Sequence, residues 1–361
     1  MLIPFLYYTG QNIQQIEKFM RDLFFNIMFE APKHQGGELK DVVPSEYKPL
    51  FKFHLKNKKL VFTVISDKLY KEFQQLSEEQ IEVLKKAYQV NNQIKDVCHG
   101  DIVPIRFADL NAMFDTVNGK AFLKDLQAFC ELQYTSCLDL AEFKKTFGSL
   151  DVYYKKLVGN DDVCHCCGIG TIMTNNNSHR DAFDHYLSKK KYPFVSVNFR
   201  NLIPICDACN SLYKNQKDTL FYVENGIELR RKVFYPFYET GDKVPYKIKI
   251  DIRLTCCYQT VGIKTDMIDL KYDCPGHEEE VDSWRELYGI DERYKAYCMS
   301  KRMQAKIKSL YDMGIEDKSF LSQYLLLSES LPEIDNNFLA VPFIKAVFES
   351  LNIKQKGLYL S

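Results

Sequence analysis

The sequence predicts an α+β protein: a small central strand-turn-helix core, flanked by a mixed N-terminal region and a helical C-terminal region. Three observations predict it. Cys164-x-x-Cys167 and Cys206-x-x-Cys209 have the spacing that lets a tight turn aim both sulfurs at one tetrahedral zinc. Residues 220–254 alternate apolar and polar with the period of strands. Most of the remaining chain places apolar residues three and four apart, the period of a half-buried helix. The expected regions are 1–105, mixed; 106–160, a helical lead-in; 161–255, the cysteine-framed core and the strands after it; and 256–361, helical.

The opening MLIPFLYYTG is apolar but lacks a basic leader and a small-residue cleavage site, so it is not expected to be a signal peptide. From Gln14 to Phe29, apolar residues at Ile16, Phe19, Met20, Leu23, Phe24 and Ile27 predict an amphipathic helix ended near Pro32. Gln35-Gly36-Gly37 through Pro44 reads as a loop, and FKFHL and LVFTVI around Asn57-Lys58-Lys59 predict a β-hairpin. Ser77 with Gln80 forms a capping box for a helix whose Ile81, Leu84 and Tyr88 share a face. Two or three helices are expected from Ala108 to Leu157, broken at Gly119 and Gly148. No residue of 1–105 names a chemistry.

Beyond the core, FYVENGIELRRKVF turns at Asn225-Gly226, and YKIKIDIRL has a period of two, so the core's sheet is expected to continue here. A helical run comes next, in which Val281, Trp284, Leu287 and Tyr288 make one apolar face and Ile290, Tyr294 and Tyr297 start another. Ser319 to Leu351 is expected to be helical, interrupted at Pro332 and Pro342. No apolar run approaches the ~20 residues of a membrane-spanning helix, so a soluble, cytoplasmic protein is expected.

Composition agrees with a folded chain: 361 residues, 46% hydrophobic and 27% charged, enough for two or three domains. The net charge is zero, which excludes a global basic field for capturing nucleic acid. From Asp151 to Asp218 there are nine Lys or Arg against seven Asp. Any nucleic-acid binding therefore rests on local patches or on a partner. The local candidates are Arg180 and the Lys189-Lys190-Lys191 run, for which a solvated loop is the bland alternative. Knuckle-spaced cysteines point to metal and a reducing compartment rather than to disulfides.

Between the two cysteine pairs lies Asp184-His185; Asn201 precedes the second pair and Asn210 comes directly after it. Phosphodiester hydrolysis needs a base for water and a cation for the charge on phosphate. His185 suits the first task because an ordinary imidazole is mostly neutral at cellular pH. Asp184 and Asn210 offer hard oxygens suited to magnesium or manganese, while the thiolates suit zinc. In this scheme a closed zinc site is structural and the hard cation carries out the catalysis.

The order Asp184-His185, Asn201 within NLIPICDACN, Asn210 and then Lys214 resembles the HNH endonucleases, whose ββα-metal unit is often framed by two such knuckles. The resemblance implies that His185 is the general base, that Asp184 and Asn210 hold the catalytic cation, and that Asn201 braces the loop between the strands and orients the His185 backbone. Two positions depart from it. Ser188 stands where those enzymes commonly carry a proline, and Lys214 stands where some members place a metal-binding His; a protonated lysine points instead to a phosphate contact. The pattern Trp284…Tyr288…Arg293-Tyr294 is similar, more loosely, to the segment beyond the nuclease core in bacterial defence-associated nucleases of Septu-type and retron-linked systems. That likeness implies an antiviral effector nicking DNA to leave 5′-phosphate and 3′-hydroxyl ends, aimed by a partner ATPase or sensor. Other expectations stay open: RNA as substrate, a restriction or mobile-element nuclease, or a zinc-stabilised nucleic-acid-binding module without turnover.

Cys166 is an alternative ligand to Cys167, which has the two-residue spacing and precedes Gly168. Cys274 and His277 with Cys256-Cys257 form a weaker second candidate, since adjacent cysteines chelate poorly. Cys98, Cys130, Cys137 and Cys298 lie on apolar faces and read as core. His179 reads as a loop residue.

Overall fold

Helix carries most of the chain. The computed structural model describes residues 1–52, 61–255, 263–316, 319–332 and 334–350, and the protein is mixed α+β, 56% helical with small sheets. Helix α1 (Gln11–Asp22) buries Ile13, Ile16, Phe19 and Met20 and continues into a π-wound turn, Leu23–Met28. Phe24 of that turn meets the rings of Tyr88, Phe129 and Phe194, which ties the N-terminal helices to the segment just before the second cysteine pair. Helices α2 (Val61–Phe73), α3 (Glu78–Asn91), α4 (Val117–Thr135), α5 (Ala141–Phe147) and α6 (Leu150–Val158) come after it.

The hairpin expected around Asn57-Lys58-Lys59 is corrected where it can be traced. Val61 onward, within LVFTVI, opens α2, while residues 53–60 lie outside the described residues. Phe62, Ser66, Leu69, Tyr70 and Phe73 fall on one helical face, and α2 packs on α4. Burial on that face outweighs the strand preference of Val, Ile and Thr. Region 1–105 is thus helical among its described residues, apart from the two-residue strand β1 (Phe5–Leu6). Gly119, expected as a break, sits in the first turn of α4, where its N–H donates to Thr116 Oγ1 at 2.9 Å. Gly148 does end α5.

The strands form four separate two-stranded sheets. Strands β2 (Phe183–His185) and β3 (Leu202–Pro204) pair antiparallel, with Asp184 opposite Ile203 and His185 opposite Leu202. Strands β4 (Phe221–Glu224) and β5 (Ile227–Arg230) turn at Asn225-Gly226, both at positive φ, the geometry of a tight two-residue hairpin. Strand β6 (Phe237–Tyr238) runs parallel to β1, and β7 (Lys249–Leu254) pairs with β8 (Ile268–Asp273). The strands after the core therefore exist but do not extend the β2–β3 sheet. The buried Ile250 and Ile252 of β7 are covered by a C-terminal helix instead.

That helix is α11 (Asn337–Ser350), the last after α7 (Glu278–Tyr288), α8 (Ile290–Cys298), α9 (Lys301–Glu316) and α10 (Phe320–Ser330). Pro342 lies inside α11 rather than interrupting it, and Pro332 falls between α10 and α11. Buried apolar side chains from Met1 to Val347 form one cluster. No described helix is long and apolar enough to cross a membrane.

The capping box is present, with Gln80 N–H donating to Ser77 Oγ at 3.2 Å and Ser77 N–H to Gln80 Oε1 at 3.1 Å. Ser77→Ala is expected to cost about 1 kcal/mol in a denaturant titration.

Candidate functional site

Cys164, Cys167, Cys206 and Cys209 converge, their sulfurs all within 4.8 Å of one another and all four residues buried. The pairs Cys164–Cys209 and Cys167–Cys206 lie 4.0 and 3.9 Å apart. Zn–S bonds of about 2.3 Å in a tetrahedron require sulfurs about 3.8 Å apart, so the cage fits zinc. Backbone amides support it, Gly170 N–H donating to Cys167 Sγ at 3.4 Å and Cys206 N–H to Cys164 Sγ at 3.3 Å. Gly170 is required by proximity, because a Cβ there would lie 2.5 Å from Cys206 Sγ. Cys166 is outside the cage, and Cys274 with His277 joins no ligand group among the described residues; Cys256 and Cys257 lie outside them. Cys98, Cys130, Cys137 and Cys298 are buried, and His179 is exposed.

Helices α7 and α8 close this cage, a role that the sequence did not disclose. Arg293 donates from Nη1 to Cys209 Sγ and from Nη2 to Cys167 Sγ, both at 3.1 Å. Trp284 Nε1 donates to the Cys166 carbonyl at 2.7 Å and Tyr294 OH to the Cys167 carbonyl at 2.8 Å. Gly289, between the two helices at positive φ, leaves room for the Tyr213 ring, which lies 4.9 Å beneath the Arg293 guanidinium. Hydrogen bonds from its partner thiols, with Arg293 alongside, hold the Cys167 thiol well below its ordinary range. The same sharing, led by Cys164, brings Cys206 down to about 7. The Trp284…Arg293-Tyr294 pattern thus has a physical use here, as a clamp on the cysteine cage. An arginine on the buried face of a charged, amphipathic helix was its only sequence signal.

Strands β2 and β3 and the short π-wound helix Ala208–Lys214 bring the other candidates to the side of the cage. His185 is half-buried, its ring edge-on to Tyr134 at 4.4 Å and its Nε2 3.0 Å from the Ser196 carbonyl. A carbonyl only accepts, so Nε2 carries the proton and Nδ1 keeps its lone pair. Burial first, and then the ammonium of Lys189, push His185 down to about 3. Asn201, fully buried, accepts from Leu187 N–H at 2.6 Å and donates to the carbonyls of Leu187 and Val195 at 3.0 and 3.2 Å. It ties down the loop beyond β2, and its own carbonyl accepts from Tyr186 N–H at 2.8 Å, in the peptide that joins Tyr186 to His185.

Asp184 and Lys214 are 4% and 2% exposed. Lys214 Nζ lies 2.7 and 2.8 Å from the two Asp184 oxygens and 2.7 Å from the His185 carbonyl, so each of its three N–H bonds has an acceptor. The expectation of a solvent-facing Lys214 on a phosphate is therefore corrected: its charge is spent on a buried carboxylate. A hard cation does not fit Asp184 in this arrangement. Asn210, half-buried, has no side-chain hydrogen bond among the described residues. Of the basic candidates, Arg180 donates to Asp151 at 2.7 Å and covers the Phe183 ring, Lys189 lies over Tyr134, Lys191 pairs with Asp218 at 3.3 Å, and Lys190 is exposed.

No family model, curated protein or solved structure matches the chain.

This geometry has two measurable outcomes. Arg293→Gln is expected to weaken zinc retention about 10–100-fold against a competing chromogenic chelator, as loss of a hydrogen-bond partner to ligating groups does; retention equal to wild type would remove Arg293 from the cage. Lys214→Met leaves Asp184 a buried, unpaired carboxylate and is expected to cost about 3–5 kcal/mol. It also frees Asp184 for a hard cation, so millimolar manganese is expected to raise the melting temperature of this variant more than that of wild type.

Proposed function

We propose that the chain is a zinc-stabilised endonuclease that hydrolyses phosphodiester bonds of DNA from a ββα unit similar to that of the HNH nucleases. The observation that carries the reading is the convergence on one side of a four-cysteine cage of His185 on β2, with its Nδ1 lone pair free, and the short helix beyond Cys206. Zinc held by Cys164, Cys167, Cys206 and Cys209 supplies folding free energy and has no open position for substrate. His185 Nδ1 takes a proton from water as the water attacks phosphorus and the P–O3′ bond breaks, the leaving 3′-oxygen taking a proton from solvent, and the Ser196 carbonyl holds the ring in the tautomer this requires. An arriving phosphodiester is an anion and raises the His185 pKa, bringing the base nearer its useful range. Asn201 keeps the loop beside His185 in place. Magnesium or manganese, implied by the resemblance, does not fit the donor set while Lys214 holds both Asp184 oxygens.

That same ion pair favours a second reading, a zinc-stabilised nucleic-acid-binding module without turnover, in which Lys214 and Asp184 are structural. The role in prokaryotic antiviral defence, with a partner ATPase or sensor, rests on the sequence resemblance alone.

The experiment is plasmid nicking by the full chain, with and without magnesium or manganese, for wild type and His185→Ala. Wild type is expected to nick the plasmid, leaving 5′-phosphate ends, and His185→Ala to lose about 10²-fold or more in rate with zinc content unchanged. A folded, zinc-loaded wild type that nicks under none of these conditions leaves the binding module as the function. A depressed pKa keeps the imidazole neutral above about 3. The kcat/KM is therefore expected to stay level from about pH 7.5 to 5.5, where an ordinary histidine with pKa about 6.5 would lose its base form; an acid limb near 6.5 would contradict the buried base.

A further inference from the structure

We propose that the groove between α4 and the 188–191 loop is a track for the sugar-phosphate backbone of a nucleic acid, leading to His185; this rests on the reading of His185 as a phosphodiester-cleaving base. The groove has a volume of about 540 Å³, and Arg106, Lys120, Lys124, Lys190 and Lys191 line it against the single carboxylate of Asp218. In a chain of zero net charge, Arg106, Lys120 and Lys191 of this groove are paired with carboxylates, and Lys124 and Lys190, without an ion-pair partner among the described residues, leave it a local positive field of the kind that captures polyanions.

The arrangement has a direction. Lys120, Lys124, Gln127 and Tyr134 succeed one another on α4 at spacings of four, three and seven residues, which places them on one face. The half-buried Glu131 shares that face. Gln127 Nε2 donates to the Lys190 carbonyl at 3.2 Å and Phe107 N–H to the Lys191 carbonyl at 2.8 Å, which fixes the basic loop across the helix. Lys189 Nζ then lies 5.2 Å from the Tyr134 ring centre, and that ring touches His185. From Lys120 to Tyr134 the helix rises about 21 Å, roughly six nucleotide steps along one strand of a duplex.

The cations divide by availability. Arg106 is tied to Asp109 and Glu228, and Lys191 to Asp218, so these form the walls. Lys120 pairs with Asp115, both well exposed, a pairing weak enough to exchange for phosphate. Lys124 and Lys190 are exposed and have no ion-pair partner among the described residues. These two are the phosphate contacts.

The test uses the full chain with chelator present and fluorescein-labelled 20-mers: single-stranded DNA, duplex DNA and single-stranded RNA. Affinity is measured by anisotropy across a salt series for wild type and for Lys124→Gln combined with Lys190→Gln. Removing two phosphate contacts is expected to reduce the slope of log affinity against log salt by about 1.4 on single strands or about 1.8 on duplex, and to weaken binding about tenfold or more at 0.1 M salt. The strand type that suffers this loss is the track's ligand. Melting temperature is expected to be unchanged, as both side chains are exposed. Equal slopes for wild type and variant, or no salt-dependent binding by wild type, overturn the track. If such a variant still nicks plasmid at the wild-type rate across the salt series, the track fails and the nuclease stands. If the slope loss appears but wild type never nicks, the track stands and the nuclease reading fails.

Discussion

Four sulfurs sharing one buried space are the constraint on which the rest depends. Thiols crowded within 4.8 Å of one another, carrying charge out of reach of water, are costly unless a cation takes them up. The cage meets that demand with a geometry suited to zinc, and the Arg293 guanidinium bears on the sulfurs from outside. Arg293 lies in α8 and ties that helix to the sulfurs directly, while α7 is tied to the same knuckle through Trp284 and the Cys166 carbonyl. The parallel pairing of β1 with β6 and the stacking of Phe5 on His165 at 4.1 Å bring the first residues of the chain to the same place. The knuckles are thus a hub where the start of the chain and two C-terminal helices meet.

The second buried charge pair works differently. Asp184 and Lys214 satisfy each other almost without solvent; such a pair adds little net stability, but breaking it by removing one partner is costly. Here it fixes the helix Ala208–Lys214 against β2, which in turn sets where His185 stands. One ammonium thus fulfils a framing role at a position where some HNH enzymes place a metal-binding His and where a phosphate contact was expected of this lysine. Position in a motif and chemistry at that position are separable.

The sequence disclosed the features that depend on local spacing. Ser77 and Gln80 specified a helix start and Asn225-Gly226 a hairpin, because each is decided by residues that touch their own neighbours; the two Cys-x-x-Cys pairs specified the cage because the spacing within each pair is local, although the pairs meet from 39 and 45 residues apart. It failed where tertiary contact decides. Val61 onward in LVFTVI carries strand propensity yet winds into α2, whose apolar face meets α4. The strands after the core alternate as read, but the partner of β7 is β8 and its cover is α11, neither of which local alternation can name. At the site, Asp184, His185, Asn201 and Asn210 could be picked out by type and order, whereas the partners that set their chemistry are Lys214, Ser196 and Tyr134. Tyr134 is 51 positions from His185 in the chain, and no local pattern announces such a contact.

The clamp on the cage also has a consequence in time. Arg293 stands 84 residues beyond Cys209, and a ribosome adding about 5–20 residues per second needs roughly 4–17 s to span that distance. Throughout that interval all four cysteines of the cage have been synthesised while the guanidinium that donates to Cys209 and Cys167 has not. A cage that closes within that interval does so on its four sulfurs alone, before the Arg293 contact exists.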